Sequence, residues 1–200
     1  MVDVDKIKRD LYKNFEVDGS VKIDPSTGVV DVDGDVYLIK PISHLPVKFG
    51  TVRGSFYCGD NQLTNLEGAP RHVGGYFNGC RNRLTSLEGA PDHVGEDFDC
   101  YDNQLTNLEG APNHVGGDFN CAHSPLISLK GAPDHVGKFW CSYAKSLPLM
   151  RLLVYPMVEI YGAPPRLEDI INKYTGQGKP GALKAAVELI RAGYKENARW

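Results

Sequence analysis

Apolar positions between residues 56 and 136 fall into four ladders with one period. Phe56, Phe77, Phe98 and Phe119 are spaced by 21 residues, and so are Leu63, Leu84, Leu105 and Leu126. Leu66, Leu87, Leu108 and Leu129 keep the same step, as do Val73, Val94, Val115 and Val136. One unit cannot bury this set alone, whereas stacked units bury it continuously, so the pattern predicts a solenoid. Phe-x-Cys alternates with period two, as a short strand with one buried face requires, and successive strands stack into a parallel sheet. Gly-Ala-Pro then turns the chain away from the strand. Asn61, Asn82 and Asn103 align and are expected to point inward, hydrogen-bonded to the backbone of neighbouring turns.

The ladder fades at both ends. "GDVYL" at 34–38 imitates "GSFYC" at 54–58, and "GSVKI" and "GVVDV" read as earlier strands or a hairpin. Val4, Ile7, Leu11 and Phe15 share one helical face, predicting a helix that covers the first strand. Downstream, "VEI" at 158–160 and "YGAPP" read as a last repeat. Leu167, Ile170, Ile171 and Tyr174 mark a helix, and Leu183, Ala186, Val187 and Ile190 the face of a second one. Pro180 suits that helix's first turn and Gly193 its C-terminal stop. The expected organisation is a helix-and-strand cap over 1–33, a solenoid over 34–164 and a two-helix cap over 165–200. A docking helix pair is the alternative reading of the last segment.

The unit Phe-x-Cys-x-x-Asn-x-Leu-x-x-Leu followed by Glu-Gly-Ala-Pro resembles the leucine-rich repeat, with Phe and Cys in two of the usual leucine places. Its short period is similar to the short bacterial class. The "LEGAPxxVGGxFxC" wording is closer still to leucine-rich repeat proteins encoded by tailed bacteriophages. The resemblance covers roughly residues 34–164. It implies an α/β repeat solenoid with a short parallel sheet and a largely irregular convex side. It also makes binding and inhibition of a host defence or regulatory protein the expected role, with the host cytoplasm as location. Repeat scaffolds host many partners, so the partner is not implied.

Composition narrows the classes. Hydrophobic residues make up 42% of 200 and the net charge is −3 with no long run of one sign, which gives no general affinity for nucleic acid. No apolar run is long enough to span a bilayer, and "MVDVDKIKRD" lacks the apolar core of a secretory signal. The five cysteines fall mostly at repeat spacing, which suggests reduced thiols in a cytoplasmic setting. Cys58, Cys100 and Cys121 share one ladder position and read as small core residues. Gly79 takes that position in the second copy, so the displaced Cys80 should point to the opposite face. "VGKFWC" has lost one residue, which restores Phe139-x-Cys141.

Other chemical signals are weak. The Gly of "DVDGDV" comes too early for a calcium loop, and "GQGKP" lacks the setting of a phosphate loop. His72, His93, His114 and His135 repeat with the frame and read as scaffold residues of a turn, while His123 stands outside that ladder. No nucleophile–base constellation emerges, so neither catalysis nor a cofactor or metal is expected.

Function should therefore lie where the copies differ. Strand side chains that alternate with the core set form the varied, concave face. Before each Phe these are Ser55, Tyr76, Asp97, Asp118 and Lys138; between Phe and Cys, Tyr57, Asn78, Asp99, Asn120 and Trp140. Beyond lie Gly59, Cys80, Tyr101, Ala122 and Ser142, then Asp60, Arg81, Asp102, His123 and Tyr143. The expected partner-binding set is Tyr57, Tyr76, Asp97, Asp99, Tyr101, Asp102, Asp118, His123, Trp140 and Tyr143. Aromatic side chains anchor protein partners and acids steer basic ones. Residues 51–143 hold six Lys/Arg against eleven Asp/Glu, and residues 165–200 hold seven against four. The acidic body makes nucleic acid an unlikely ligand for the repeat face. Contact of the basic end with nucleic acid, or an unrecognised enzyme site, are the alternatives.

Overall fold

A computed structural model describes residues 2–199. Helix α1 spans Val4–Asn14, and Asp3 caps it by accepting a hydrogen bond from the Lys6 amide at 2.8 Å. Leu11 is its buried residue, and the helix ends where Phe15 turns extended. Strands β1 (Phe15–Ile23) and β2 (Val30–Leu38) then form an antiparallel hairpin in which Gly19 opposes Gly34. Both glycines adopt positive φ, at 141° and 152°. A Cβ on either would collide with the facing strand's carbonyl oxygen, Asp33 O or Asp18 O.

This hairpin sets up the solenoid. The first half of β2 pairs in parallel with β3 (Phe49–Val52) and the second half with β4 (Phe56–Tyr57). Two columns of parallel strands therefore grow from one bent strand. One column continues through β6 (Phe77–Asn78), β8 (Phe98–Asp99), β10 (Phe119–Asn120), β11 (Lys138–Ser142) and β12 (Met157–Tyr161). The other runs through β5 (His72–Val73), β7 (His93–Val94) and β9 (His114–Val115). The α/β repeat solenoid and the expected register are both present: Phe56, Phe77, Phe98, Phe119 and Phe139 pair in succession. The side expected to be largely irregular additionally carries the second column. There His72, His93 and His114 stack ring on ring at 4.5 Å, and His135 lies outside any strand.

The core follows the ladders. The five Phe rings are fully buried and stack at 4.9–5.8 Å, with Phe49 edge-on at one end and Tyr155 stacked on Phe139 at 4.9 Å at the other. The asparagines point inward as expected. Asn82 Oδ1 accepts from the Leu63 amide at 2.9 Å, while its Nδ2 donates to the carbonyls of Cys58 and Gly79. Asn103 repeats this one turn on, accepting from Leu84 N at 2.9 Å and donating to Gly79 and Cys100. Ser124 ends the ladder, and its buried hydroxyl has no hydrogen-bond partner among the described residues. Cys58, Cys100, Cys121 and Cys141 are buried, Gly79 is buried in their row, and Cys80 is half-buried.

A 3-10 turn at Met150–Val154 and helices α2 (Pro165–Tyr174) and α3 (Gly178–Arg191) close the C-terminal end. Asn197 fastens the tail there, donating from Nδ2 to the carbonyls of Ala144 and Leu147. The face of α3 differs from expectation. Gly181, Ala182, Ala185 and Leu189 are buried, whereas Leu183, Val187 and Ile190 are exposed at 72%, 43% and 53%. Both stripes have helical spacing. Close approach to α2 and the 3-10 turn selects the stripe of small residues.

Candidate functional site

The solvent face of the Phe column holds the varied side chains, and its geometry divides them. At the N-terminal end Tyr57 stacks face to face on Tyr37 at 4.7 Å and meets Tyr76 at 5.8 Å. At the C-terminal end Trp140 stacks on Tyr161 at 5.7 Å, and Lys138 Nζ lies 3.7 Å from the Trp140 ring centre. Lys138 also pairs with Glu159 at 2.5 Å. His123 bridges Tyr101 and Tyr161, at 4.7 and 5.8 Å. Two aromatic groups thus flank a central acidic stretch.

That stretch contains a small open cavity of about 170 Å³, with Tyr76 and Trp140 among its lining side chains and Asp97, Asp99 and Asp118 around it. Tyr76 Oη donates to Asp99 Oδ2 at 3.2 Å. Burial pushes the Asp99 carboxyl above its ordinary range, against the Tyr101 amide and the Tyr76 hydroxyl, which favour the ionised form. Burial, then the nearby Asp99 charge, raises the Tyr76 hydroxyl.

Several varied positions also hold the backbone. Asn78, Asp99 and Asn120 each accept the amide two residues on, at 3.1, 2.8 and 3.1 Å. Asp97 Oδ1 accepts the Asp118 amide at 2.7 Å, linking adjacent rungs. Asp60, Arg81, Asp102 and His123 occupy one left-handed bend, with φ between 49° and 58°.

The expected site residues are therefore gathered unequally. Tyr57, Tyr76, Asp97, Asp99, Asp118 and Trp140 form the face around the cavity, and Tyr101 and His123 extend the C-terminal aromatic group. Asp102 is exposed at its bend. Tyr143 packs against the core and makes no ring contact among the described residues. Tyr37, Tyr161 and Glu159 join this face beyond the expected set. Tyr37 was available from the match of "GDVYL" to "GSFYC", and Tyr161 from its place three residues past the core Val158 of the last repeat, beside Ser142 of the preceding rung.

The thiols are all suppressed. Burial raises Cys58, Cys100, Cys121 and Cys141, and raises Cys80 together with the Asp99 and Asp60 charges. Among the described residues no group of three or more His, Cys, Asp or Glu converges as a metal site, and no helix is long and apolar enough to cross a membrane. Comparisons with protein-family models, with curated proteins and with solved structures return no match to this chain.

Proposed function

We propose that this chain is a non-catalytic protein-binding module whose partner docks on the solvent face of the Phe column. The observation that carries the reading is the sequence of surfaces on that face. An acidic, cavity-bearing centre lies between two groups of stacked aromatic rings. Stacked rings supply large apolar area at little entropic cost, and carboxylates between them favour a basic partner segment. The resemblance to bacteriophage leucine-rich repeat proteins supports a bacterial host protein in the cytoplasm as partner, with inhibition arising from occupation of its surface. The partner's binding residues would be cationic or amphipathic.

The experiment is capture from bacterial lysate with and without nuclease, followed by titration of the recovered protein. Trp140→Ala is expected to weaken binding roughly thirtyfold, as removal of an aromatic hot spot does. Asp97→Asn with Asp118→Asn keeps the acceptor that Asp97 gives the Asp118 amide. It should lower the association rate and flatten its salt dependence. Unchanged affinity and rate in both variants, with binding lost on changing Leu183 and Ile190 of α3, would move the site to the C-terminal helices. Nuclease-sensitive capture would favour contact of the basic end with nucleic acid.

A further inference from the structure

Strand β1 pairs only with β2 among the described residues, so its other edge runs free along nine residues. Two flanking hydrogen bonds show which residues turn their backbone toward that edge. Ile39 N donates to Asn14 O and Asp24 N donates to Val29 O, both at 2.9 Å, and both pairs lie in the β1–β2 register. In an antiparallel ladder hydrogen-bonded pairs alternate, so Glu16, Asp18, Ser20 and Lys22 bond to β2. Val17, Gly19 and Val21 therefore direct their amides and carbonyls outward. A long open edge of this kind is a template for another strand.

The sequence of this edge complements itself. We propose that two copies of this chain join β1 to β1, antiparallel, about a two-fold axis at Gly19. In this register Val17 lies opposite the partner's Val21, so outward-turned residues meet outward-turned residues, as the ladder requires. Glu16 faces the partner's Lys22 on the solvent side, twice per dimer. Both residues are exposed, and neither takes part in an ion pair among the described residues. The half-buried Val17 and Val21 meet on the opposite side.

The backbone selects the same register. β1 is bent at Gly19, where φ is 141°, and that bend lies over the bend of β2 at Gly34. A second bent strand fits only if its own bend falls at the same level, which places Gly19 against the partner's Gly19. Shifting the axis to Asp18 misaligns the bends and opposes two Asp18 carboxylates. Shifting it to Ser20 misaligns them and sets Glu16 against the partner's Asp24. Like charges directly opposite disfavour both alternatives. The dimer is thus two solenoids joined end to end, with the faces of the Phe columns on the same side of one extended sheet.

Sedimentation equilibrium of the full chain from micromolar to millimolar concentration tests this, and a concentration-dependent dimer is expected. Val21→Pro removes an outward amide and no bond to β2, so it should give a monomer with unchanged circular dichroism. Charge reversal provides a test without proline. Glu16→Lys or Lys22→Glu alone should weaken dimerisation roughly tenfold or more, since each puts two like-charged pairs across the junction. The double reversal should restore it. A chain that stays monomeric at millimolar concentration overturns the proposal. So does a dimer indifferent to the single reversals, or one that the double reversal fails to rescue.

Discussion

The asparagine ladder offers a direct test of what holds the turns together. In Asn103→Ala the Leu84 amide loses its acceptor and the Cys100 carbonyl loses the donor at 2.9 Å, while Gly79 O keeps Asn82. Two backbone groups in a buried site are left without those partners. At about 1–3 kcal/mol for each buried group unsatisfied, the loss should be about 2–6 kcal/mol. For a chain of this size that lowers the Tm by roughly 10 °C. Asn61 serves as the internal control. It is half-buried, accepts from Ile42 N and donates to Gly59 O, and water can replace those bonds. Asn61→Ala should cost only about 1 kcal/mol. Ser124→Asn runs the experiment in reverse, since Ser124 occupies the equivalent place with a buried hydroxyl that has no partner among the described residues. A carboxamide there is expected to reach the Leu105 amide and raise the Tm by a few degrees. Differential scanning calorimetry measures all three. If Asn103→Ala costs no more than Asn61→Ala, the ladder is not what secures the turns.

Two further outcomes follow from side chains outside the core. Brief alkylation of the folded protein, read by mass spectrometry, should modify Cys80 and spare Cys58, Cys100, Cys121 and Cys141 until unfolding; equal labelling at all five would refute the register. The histidine stack predicts a pH dependence. Burial, followed by the neighbouring His72 and His114, lowers the His93 imidazole below its usual value of 6.5. Protonation then favours the unfolded chain, so this contribution is intact above about pH 6.5 and is lost as pH falls through the lowered folded value. The Tm should decline on acidification, and less steeply in His93→Gln; identical slopes would show that the stack plays no part.

The core was legible because burial repeats with the chain. Each Phe of the ladder meets the same environment one rung on, so a single spacing located strands, rings and asparagines together. The second strand column was not legible, because a two-residue His-Val strand is too short to show alternation. The exposed face of α3 was misread for a different reason. Leu183, Val187 and Ile190 fit a helical period as well as Ala182, Ala185 and Leu189 do. Only the close neighbouring backbone decides for the smaller set.

The candidate site shows a subtler limit. Variation among copies marks freedom from the repeat, but not every variable position is free. Asn78, Asp99 and Asn120 differ in charge while performing one backbone task, because Asn and Asp offer the same Oδ1 acceptor. Asp97 and Ser55 likewise differ in chemistry, yet each accepts an amide of the next rung, from Asp118 and Tyr76. Charge at these places can vary for recognition only within the set of residues that still accept a hydrogen bond. The aromatic positions carry no such constraint: among the described residues the side chains of Tyr57, Tyr101 and Trp140 accept no backbone amide, and their partners are other rings or, for Trp140, a lysine. A scaffold that needs nothing from these rings leaves them open to selection by a partner. Substitution there is therefore expected to separate binding from folding more cleanly than substitution of the acids between them.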